Sequence, residues 1–495
     1  MLRSIDLGAP VAEQDSLLYE ARVETGAFTD LFRDRVDLVP GTKGSGKTAL
    51  YRLISEYVKH LMLKTRVVLI TGVEAAGDPV FLAFKSRFEK LSEMEFENFW
   101  RVYFVALISD KFLKSREYRE FLVGADSYVK GVEEKCKSAK IPTAQRPRGF
   151  RQIVEAVLRR VKLRIGTASQ STEGFDYSLV EVEPAANDAP AATSVSDAPV
   201  FLNEIHDAIV RLLINADVKI WILLDRLDEV FPRRTPLERT ALRSLLRATR
   251  NFPTERVRIK IFLRDDILEN VVLGSEGFTA LSHIEARCAT TLKWGAKEIN
   301  LLIVKRFAAN HRVRRLCAIA KSRIDDNDME HAEEVFYRIF PSQVISGKNQ
   351  SRTSEWIYHH CEDGRGVVTP RDVIDLLEFA VKAQIAYLQR GGHPEPDCLI
   401  GAQALKDALG ELSKKKCRTY LEAEFPQFWP EIRKFEHAKA EHNSQSLQKL
   451  LGKGWHEKVD DLMAIGFLQK RPQSKSFIIP FVFRPGLAVR QGKAF

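Results

Sequence analysis

Apolar positions along this chain fall into short unbroken runs separated by stretches of helical spacing, the order that builds a parallel sheet covered by helices. Val36, Leu38 and Val39 make a brief first strand, and Leu50, Leu53, Ile54, Tyr57, Val58 and Leu61 then repeat along one helix face. A second strand, Val67-Val68-Leu69-Ile70-Thr71-Gly72-Val73, completes a βαβ unit. From about 81 to 165 the pattern is helical and aromatic, with Phe81, Phe84, Phe88, Phe96, Phe99, Trp100, Tyr103 and Phe104 read as packing. Strands are expected at 161–165 and 177–183, forming a hairpin around a polar tip. Residues 184–199 have Val195 as their only large apolar side chain and read as a mobile linker. The stretch 81–199 is therefore expected to be an insertion into a sheet core.

The core resumes with a helix at 201–215 and the run Val218-Lys219-Ile220-Trp221-Ile222-Leu223-Leu224-Asp225, apolar enough to be buried on both sheet faces. Further core strands are expected from Val257 to Leu263, ending in Arg264, and from Cys288 to Trp294, preceded by Arg287. Between the runs ending in Asp225 and Arg264, a helix at 236–250 aligns Arg239, Arg243, Arg247 and Arg250. This row is read as a solvated face, with partner or nucleic-acid contact as the lesser alternative. Beyond 296 the chain turns mainly helical, and Thr369-Pro370-Arg371-Asp372 opens a helix with proline in its first turn. Helices are expected near 402–421, 426–441, 445–452 and 455–465. Two strands, Gly466–Lys470 and Ser476–Pro480, then flank the basic turn Arg471-Pro472-Gln473-Ser474-Lys475. Helices followed by a basic-tipped ribbon describe a winged helix, which serves either DNA or protein contacts. The expected fold class is α/β, a parallel-sheet core flanked by helices, with a helical lid and a C-terminal winged helix. The boundaries are 1–80 with 200–295 for the core, 81–199 for the insertion, 296–398 for the lid and 399–495 for the winged helix.

The chemistry enters between the first strand and its helix, where Gly41-Thr42-Lys43-Gly44-Ser45-Gly46-Lys47-Thr48 fits the phosphate-binding pattern G-x-x-x-x-G-K-[ST]. Three glycines let the backbone curl so that successive N–H groups face the phosphates, and the helix start adds its positive end. Lys47 is expected to reach the β/γ-phosphates and Thr48 to offer its hydroxyl to Mg²⁺. This predicts binding of a nucleoside triphosphate. The strand end at Asp225 supplies a second magnesium ligand, and Asp228 or Glu229 a base that orients or deprotonates water. Arginines at strand ends can read a γ-phosphate, in cis or across a subunit interface, which makes Arg264 and Arg287 candidates against the alternative of ion pairing. Arg371, in a lid over the phosphates, is a further candidate.

Composition narrows the setting. With 495 residues and 45% hydrophobic content the chain has material for several domains, and no run approaches the length of a membrane span. No long apolar region follows the N-terminus, so the cytoplasm is the expected address. Six scattered cysteines argue against a disulfide framework, and His359-His360-Cys361 lacks a matching ligand pair for a metal. The net charge is +10, and residues 401–495 carry 17 Lys+Arg against 10 Asp+Glu, net +7. A basic C-terminal module suggests a polyanion, DNA, as partner, with a merely soluble basic surface as the alternative.

With these pieces the chain resembles the AAA+/STAND group of ATPases, and more closely a bacterial family with K-G-S-G-K-T-A-L, a D-x-L-D-E strand end and a C-terminal winged helix. The residues carrying the likeness are Lys43 to Leu50, Leu224 to Glu229, Phe262-Leu263-Arg264-Asp265-Asp266, Thr369 to Asp372 and Ile479-Pro480. The layout also looks like that of origin-recognition ATPases. The resemblance implies ATP and Mg²⁺ as cofactors, ATP hydrolysis, Arg264 as first sensor and Arg371 as second. It also implies a homo-oligomer or effector protein as partner, and a place in bacterial defence or DNA transactions. Arg226 stands where many AAA+ enzymes have glutamate, so the resemblance implies a slow switch as readily as continuous turnover. The competing expectation is a DNA-binding regulatory module in which nucleotide is mainly structural. A GTPase is disfavoured, because no N-K-x-D element is present.

Overall fold

The computed structural model describes residues 2–72, 85–89, 91–139, 141, 202–230, 235–252, 255–269, 278, 285–319, 324–396, 398–471 and 473–495. The hairpin expected at 161–165 and 177–183, the linker 184–199, and Phe81 and Phe84 lie outside the described residues. The chain divides into two compact units. One comprises Ala27–Thr42 and Leu50–Thr291, the other Met1–Gly26, Lys43–Ala49 and Leu292–Phe495.

The first unit holds a wholly parallel sheet. Along the chain come β1 (Leu38–Gly41), α1 (Lys47–Arg52), which passes into a wider turn over Leu53–Tyr57, and β2 (Val67–Thr71). After α2 (Glu93–Ile108) follow α3 (Leu202–Asn215), β3 (Lys219–Leu224), α4 (Pro236–Asn251) and β4 (Val257–Arg264). The strand order is β1-β4-β3-β2, and Ile220, Trp221, Ile222, Leu223 and Leu224 are all buried, as a strand covered on both faces requires. Because every strand points the same way, Gly41, Asp225 and Arg264 reach one edge together.

The core strand expected at Cys288–Trp294 is not formed as such. Its contact with β1 is the isolated bridge Leu38↔Cys288, held by Leu38 N–H to the Arg287 carbonyl (3.2 Å) and Ala289 N–H to the Leu38 carbonyl (2.8 Å). The next donor that β1 would present to that side belongs to residue 40, which is a proline without an N–H, so the ladder stops there.

The aromatic stretch packs as expected. Ser92 and Glu95 form a reciprocal capping box that starts α2, and Phe96, Phe99, Trp100, Tyr103 and Phe104 are buried. Trp100 donates its indole N–H to the Ala241 carbonyl of α4 at 2.9 Å. The arginine row on α4 is not simply solvated. Arg243 is buried and Arg247 half-buried, and Glu93 at the start of α2 pairs with both, at 3.4 and 2.7 Å. Phe278 lies under both guanidinium groups. Glu93 and Phe278, not solvent, cover this part of the row.

The second unit is helical with a small sheet. Its main helices are α5 (Ala296–Ala309), α6 (Thr353–Cys361), α7 (Pro370–Gln389) and α8 (Ala402–Lys416), the last continuing as a wider turn over Cys417–Glu422. Thr369 caps α7 through Asp372 N–H, with Pro370 in the first turn as the sequence predicts. Asp372 and Asp375 near the start of α7 bind Lys416 (2.5 Å) and Lys415 (2.7 Å) at the end of α8, so the two helices run antiparallel. Burial lowers the Lys416 ammonium pKa, but Asp372 and Asp363 beside it outweigh burial and hold it above the ordinary lysine value.

After α8 come β5 (Lys439–His442), α9 (Ser444–Leu451), α10 (Trp455–Ala464), β6 (Gln469–Lys470), β7 (Phe477–Ile478) and β8 (Arg490–Lys493), with sheet order β6-β7-β5-β8. This is the helix–strand–helix–helix–ribbon order of a winged helix, with β8 as an extra strand. The helix expected over 426–441 is shorter than the pattern implied. It spans Trp429–Arg433 with Pro430 in its first turn, His437 turns the chain at φ 62°, and β5 pairs with β7 and β8. Cross-strand pairing captured a segment whose spacing alone allowed a helix.

Among the described residues no helix is long and apolar enough to cross a membrane. The His359-His360-Cys361 cluster is dispersed: His359 faces Glu362, His360 faces the Trp356 carbonyl, and Cys361 is buried.

Candidate phosphate-binding site

The Gly-rich loop has the backbone its sequence calls for. Gly44 and Gly46 take φ of 86° and 97°, in the left-handed region that a Cβ disfavours, and Lys47 and Thr48 open α1. Gly44 is also short of space. A Cβ there would stand 3.2 Å from Arg371 Cβ and 3.3 Å from Thr369 Oγ1. The candidate second sensor Arg371 and the cap of α7 thus lie against the loop, and Arg371 donates from Nε to the Pro10 carbonyl at 3.4 Å.

Two more groups hold the same loop. Trp294 donates its indole N–H to the Ser45 carbonyl at 2.8 Å, and Tyr358 in turn donates to the Trp294 carbonyl at 3.2 Å. Lys43 pairs through its ammonium with the Glu424 carboxylate, just past α8. Ser45 is buried, and its hydroxyl has no hydrogen-bond partner among the described residues, although a buried hydroxyl ordinarily finds one. A loop with left-handed glycines, a cationic helix start and an orphaned hydroxyl fits a polyphosphate.

In the sheet unit, Gly41 is registered against Arg264 across β1 and β4. Asp225 follows β3 directly and is buried. Arg226 then adopts φ 56°, uncommon for a side-chain-bearing residue, and folds the chain into a short turn that returns Asp228 and Glu229 to this edge. Arg264 is gripped by Asp266 through two bonds of 2.9 and 2.8 Å and by Asp228 at 3.6 Å. Glu229 is about half exposed and pairs with Arg226 at 3.8 Å. The two candidate bases therefore differ: Asp228 is engaged with the candidate sensor, whereas Glu229 has water on one side and a loose, partly exposed ion pair on the other.

Arg287 stands elsewhere. It binds Asp37, just before β1, and Asp34 at 3.0 Å, so it lies at the amino end of β1 while the loop leaves the carboxyl end. Lys260, fully buried on β4, joins the same cluster, with Nζ 2.6 Å from Asp34, 2.8 Å from Asp37 and 2.7 Å from the Val36 carbonyl. Burial raises the Asp37 carboxyl pKa, but Arg287 and Lys260 outweigh it and hold it below the ordinary value. This is the ion-pairing alternative for Arg287.

Glu424 and Trp294 were not singled out from the sequence as acting on the site, and Arg226 was marked only as standing where many AAA+ enzymes have glutamate, not as a partner of Glu229. Arg226 had a signal, being the residue after a strand-ending aspartate and three before Glu229. Glu424 had none, because 381 residues separate it from Lys43.

No family model and no curated protein matches the chain. Among solved structures it is similar to the Aeropyrum pernix ORC2 protein in its ADPNP–ADP complexes, with TM-score 0.42 and 13% identity over 95% of each chain. It is also similar to the Aeropyrum pernix ORC1 protein in complex with DNA, at TM-score 0.34 and 10% identity over 97% of this chain and 96% of that one. For the ADP form of the ORC2 protein the values are 0.31 and 13%, over 95% and 96%. At these TM-scores the likenesses carry no part of the functional reading, which rests on this chain's own residues.

Proposed function

We propose that this chain is a Mg²⁺-dependent ATP-binding and ATP-hydrolysing switch of the AAA+/STAND kind, whose nucleotide state sets assembly and contact with DNA or a protein partner. The observation that carries the proposal is the grip on the loop: Trp294 from the end of the core stretch, Thr369 and Arg371 from the lid stretch and Glu424 from the C-terminal stretch all bear on Lys43–Ser45. A change in what fills the loop is thus felt directly by those stretches. Gly41 to Thr48 would cradle the phosphates, Lys47 would neutralise them, and Thr48 and Asp225 would hold Mg²⁺, which would offset charge on the phosphate oxygens. Glu229 is the better base, since Asp228 is committed to Arg264. Arg264 and Arg371 would sense the γ-phosphate, and Arg287 is left to structure. The division into core, insertion, lid and winged helix, and the cytoplasmic address, belong to the same proposal.

The test compares ATP binding, turnover and particle size, with ADP and with a non-hydrolysable ATP analogue. Lys47→Ala should abolish binding, and Glu229→Gln should bind ATP but not turn it over. Unaltered hydrolysis in both variants would refute the enzymatic reading. A second reading, a DNA-binding module with structural nucleotide, is favoured by the basic C-terminal sheet. It predicts DNA affinity indifferent to which nucleotide is bound.

A further inference from the structure

In a winged helix the third helix is the segment expected to enter a DNA groove, and here that helix is α10. Its outward positions are His456, Glu457, Asp460, Asp461 and Ala464, all exposed. The one lysine on α10, Lys458, is turned back, donating to the Leu451 carbonyl at 3.0 Å and pairing with Glu431 at 3.6 Å. His456 lies against the Trp455 ring, with centroids 3.6 Å apart. An α10 face carrying three carboxylates and no free cation is repelled by phosphates and offers no arginine or lysine to a base edge.

The sheet beside it has the opposite character. Arg471 and Lys475 in the turn, Lys439 on β5, and Arg490 and Lys493 on β8 are all exposed, whereas Lys470, registered against Phe477, lies on the other face of the ribbon. β8 is what makes the surface continuous. It pairs in parallel with β5, Lys439 against Arg490 and Glu441 against Lys493. The Lys439 ammonium lies over β8, 3.8 Å from where a Cβ on Gly492 would be. The one carboxylate in this group, Glu441, is buried, accepts from Ser476 at 2.6 Å and faces Arg471 at 3.6 Å, so it offsets one of these five cations. From β6 to β8 the strands span about 14 Å at ordinary strand spacing, enough to touch phosphates on both sides of a groove.

We infer that this module binds duplex DNA through the sheet and its wing, with β8 as part of the binding surface and α10 held out of the groove. The inference rests on the DNA-contacting reading proposed above and names its surface. Binding through backbone phosphates alone is weakly sequence-dependent and strongly salt-dependent.

The test uses the full chain and a labelled 30-bp duplex of arbitrary sequence, titrated between 50 and 200 mM salt. With about four phosphates neutralised, the wild type should lose about 150-fold in affinity across that range. Lys439→Ala/Arg490→Ala/Lys493→Ala should lose only about fourfold across it, because three contacts are gone, and should bind more weakly throughout. Since that triple change could loosen β8, Lys475→Ala in the turn is the second variant, lowering the salt slope by about one. On α10, Glu457→Gln/Asp460→Asn/Asp461→Asn should leave the slope unchanged, as should His456→Ala. A wild type that fails to bind at 50 mM salt would overturn the DNA reading itself. A wild type that binds, with a slope unmoved by the β8 and turn changes but reduced by His456→Ala, would overturn only the sheet surface.

Discussion

Glu424→Gln is the most direct probe of coupling between the phosphate loop and the C-terminal stretch. Its carboxylate has 8% of its side chain exposed and Lys43 has 35%, so the pair is neither a surface contact nor a fully buried one. Exposed pairs contribute about 0.2–1 kcal/mol and breaking a buried pair costs about 3–5 kcal/mol, which places this one near 1 kcal/mol. Removing the negative charge frees the Lys43 ammonium for phosphate and takes a carboxylate away from a site built for anions. Glu424→Gln should therefore tighten ATP binding, by about fivefold for 1 kcal/mol. Lys43→Ala should weaken it, and in the Lys43→Ala background Glu424→Gln should do much less. Calorimetric ATP titration of wild type, both single variants and the double variant closes the cycle, with an expected coupling near 1 kcal/mol. Effects that add to within about 0.3 kcal/mol would refute the argument that the pair links these elements.

Other consequences can be checked separately. Arg287→Ala should lower thermal stability by about 2 kcal/mol while leaving ATP affinity intact, because Asp34, Asp37 and buried Lys260 lose a partner far from the loop; a loss of ATP binding without a fall in Tm would return Arg287 to the site. Asp37 has a depressed pKa, so its contribution is present above the unfolded value of 3.8 and lost as pH falls through the lower folded value; Asp37→Asn should flatten that acid limb in a Tm–pH series. His360 is pushed down from 6.5 to about 4 by burial and by the Arg484 and His359 charges. Its ring is stacked between Trp356 and Phe481. The unfolded chain takes up this proton first, so about 3 kcal/mol of stability should drain away between pH 6.5 and 4. His360→Phe should remove that slope; parallel melting profiles would argue against it.

Much of the fold was legible because buried parallel strands announce themselves. The run ending in Asp225 is apolar on both faces, and β2 and β4 read the same way, so periodicity and length sufficed. The failures have local physical causes. Cys288–Trp294 has the composition of a strand, but its pairing depended on a neighbour whose next donor is Pro40. The segment 426–441 has helical spacing, yet Ala440 and His442 are buried by pairing of β5 with strands that come later in the chain. The arginine row on α4 looked solvated because nothing in the sequence says that Glu93 and Phe278 will lie over it.

The candidate site divides along the same line between local and distant information. The loop, Asp225 and the strand-end arginines were legible, because each is defined by its place on one strand or turn. Which arginine lies at the carboxyl end of the sheet was not legible, since Arg264 and Arg287 both flank strands; Arg264 ends β4 level with Gly41, whereas Arg287 meets β1 at its start. The contacts that make a switch plausible were hidden for a stronger reason. Lys43, Gly44 and Ser45 look like spacers in the phosphate pattern, yet they are the positions that Glu424, Arg371 and Trp294 hold. The pattern fixes the residues that meet phosphate and leaves the positions between them free to vary. In this chain those free positions contact Trp294, Arg371 and Glu424, so the coupling tested by the Lys43–Glu424 cycle would be encoded where the motif is silent.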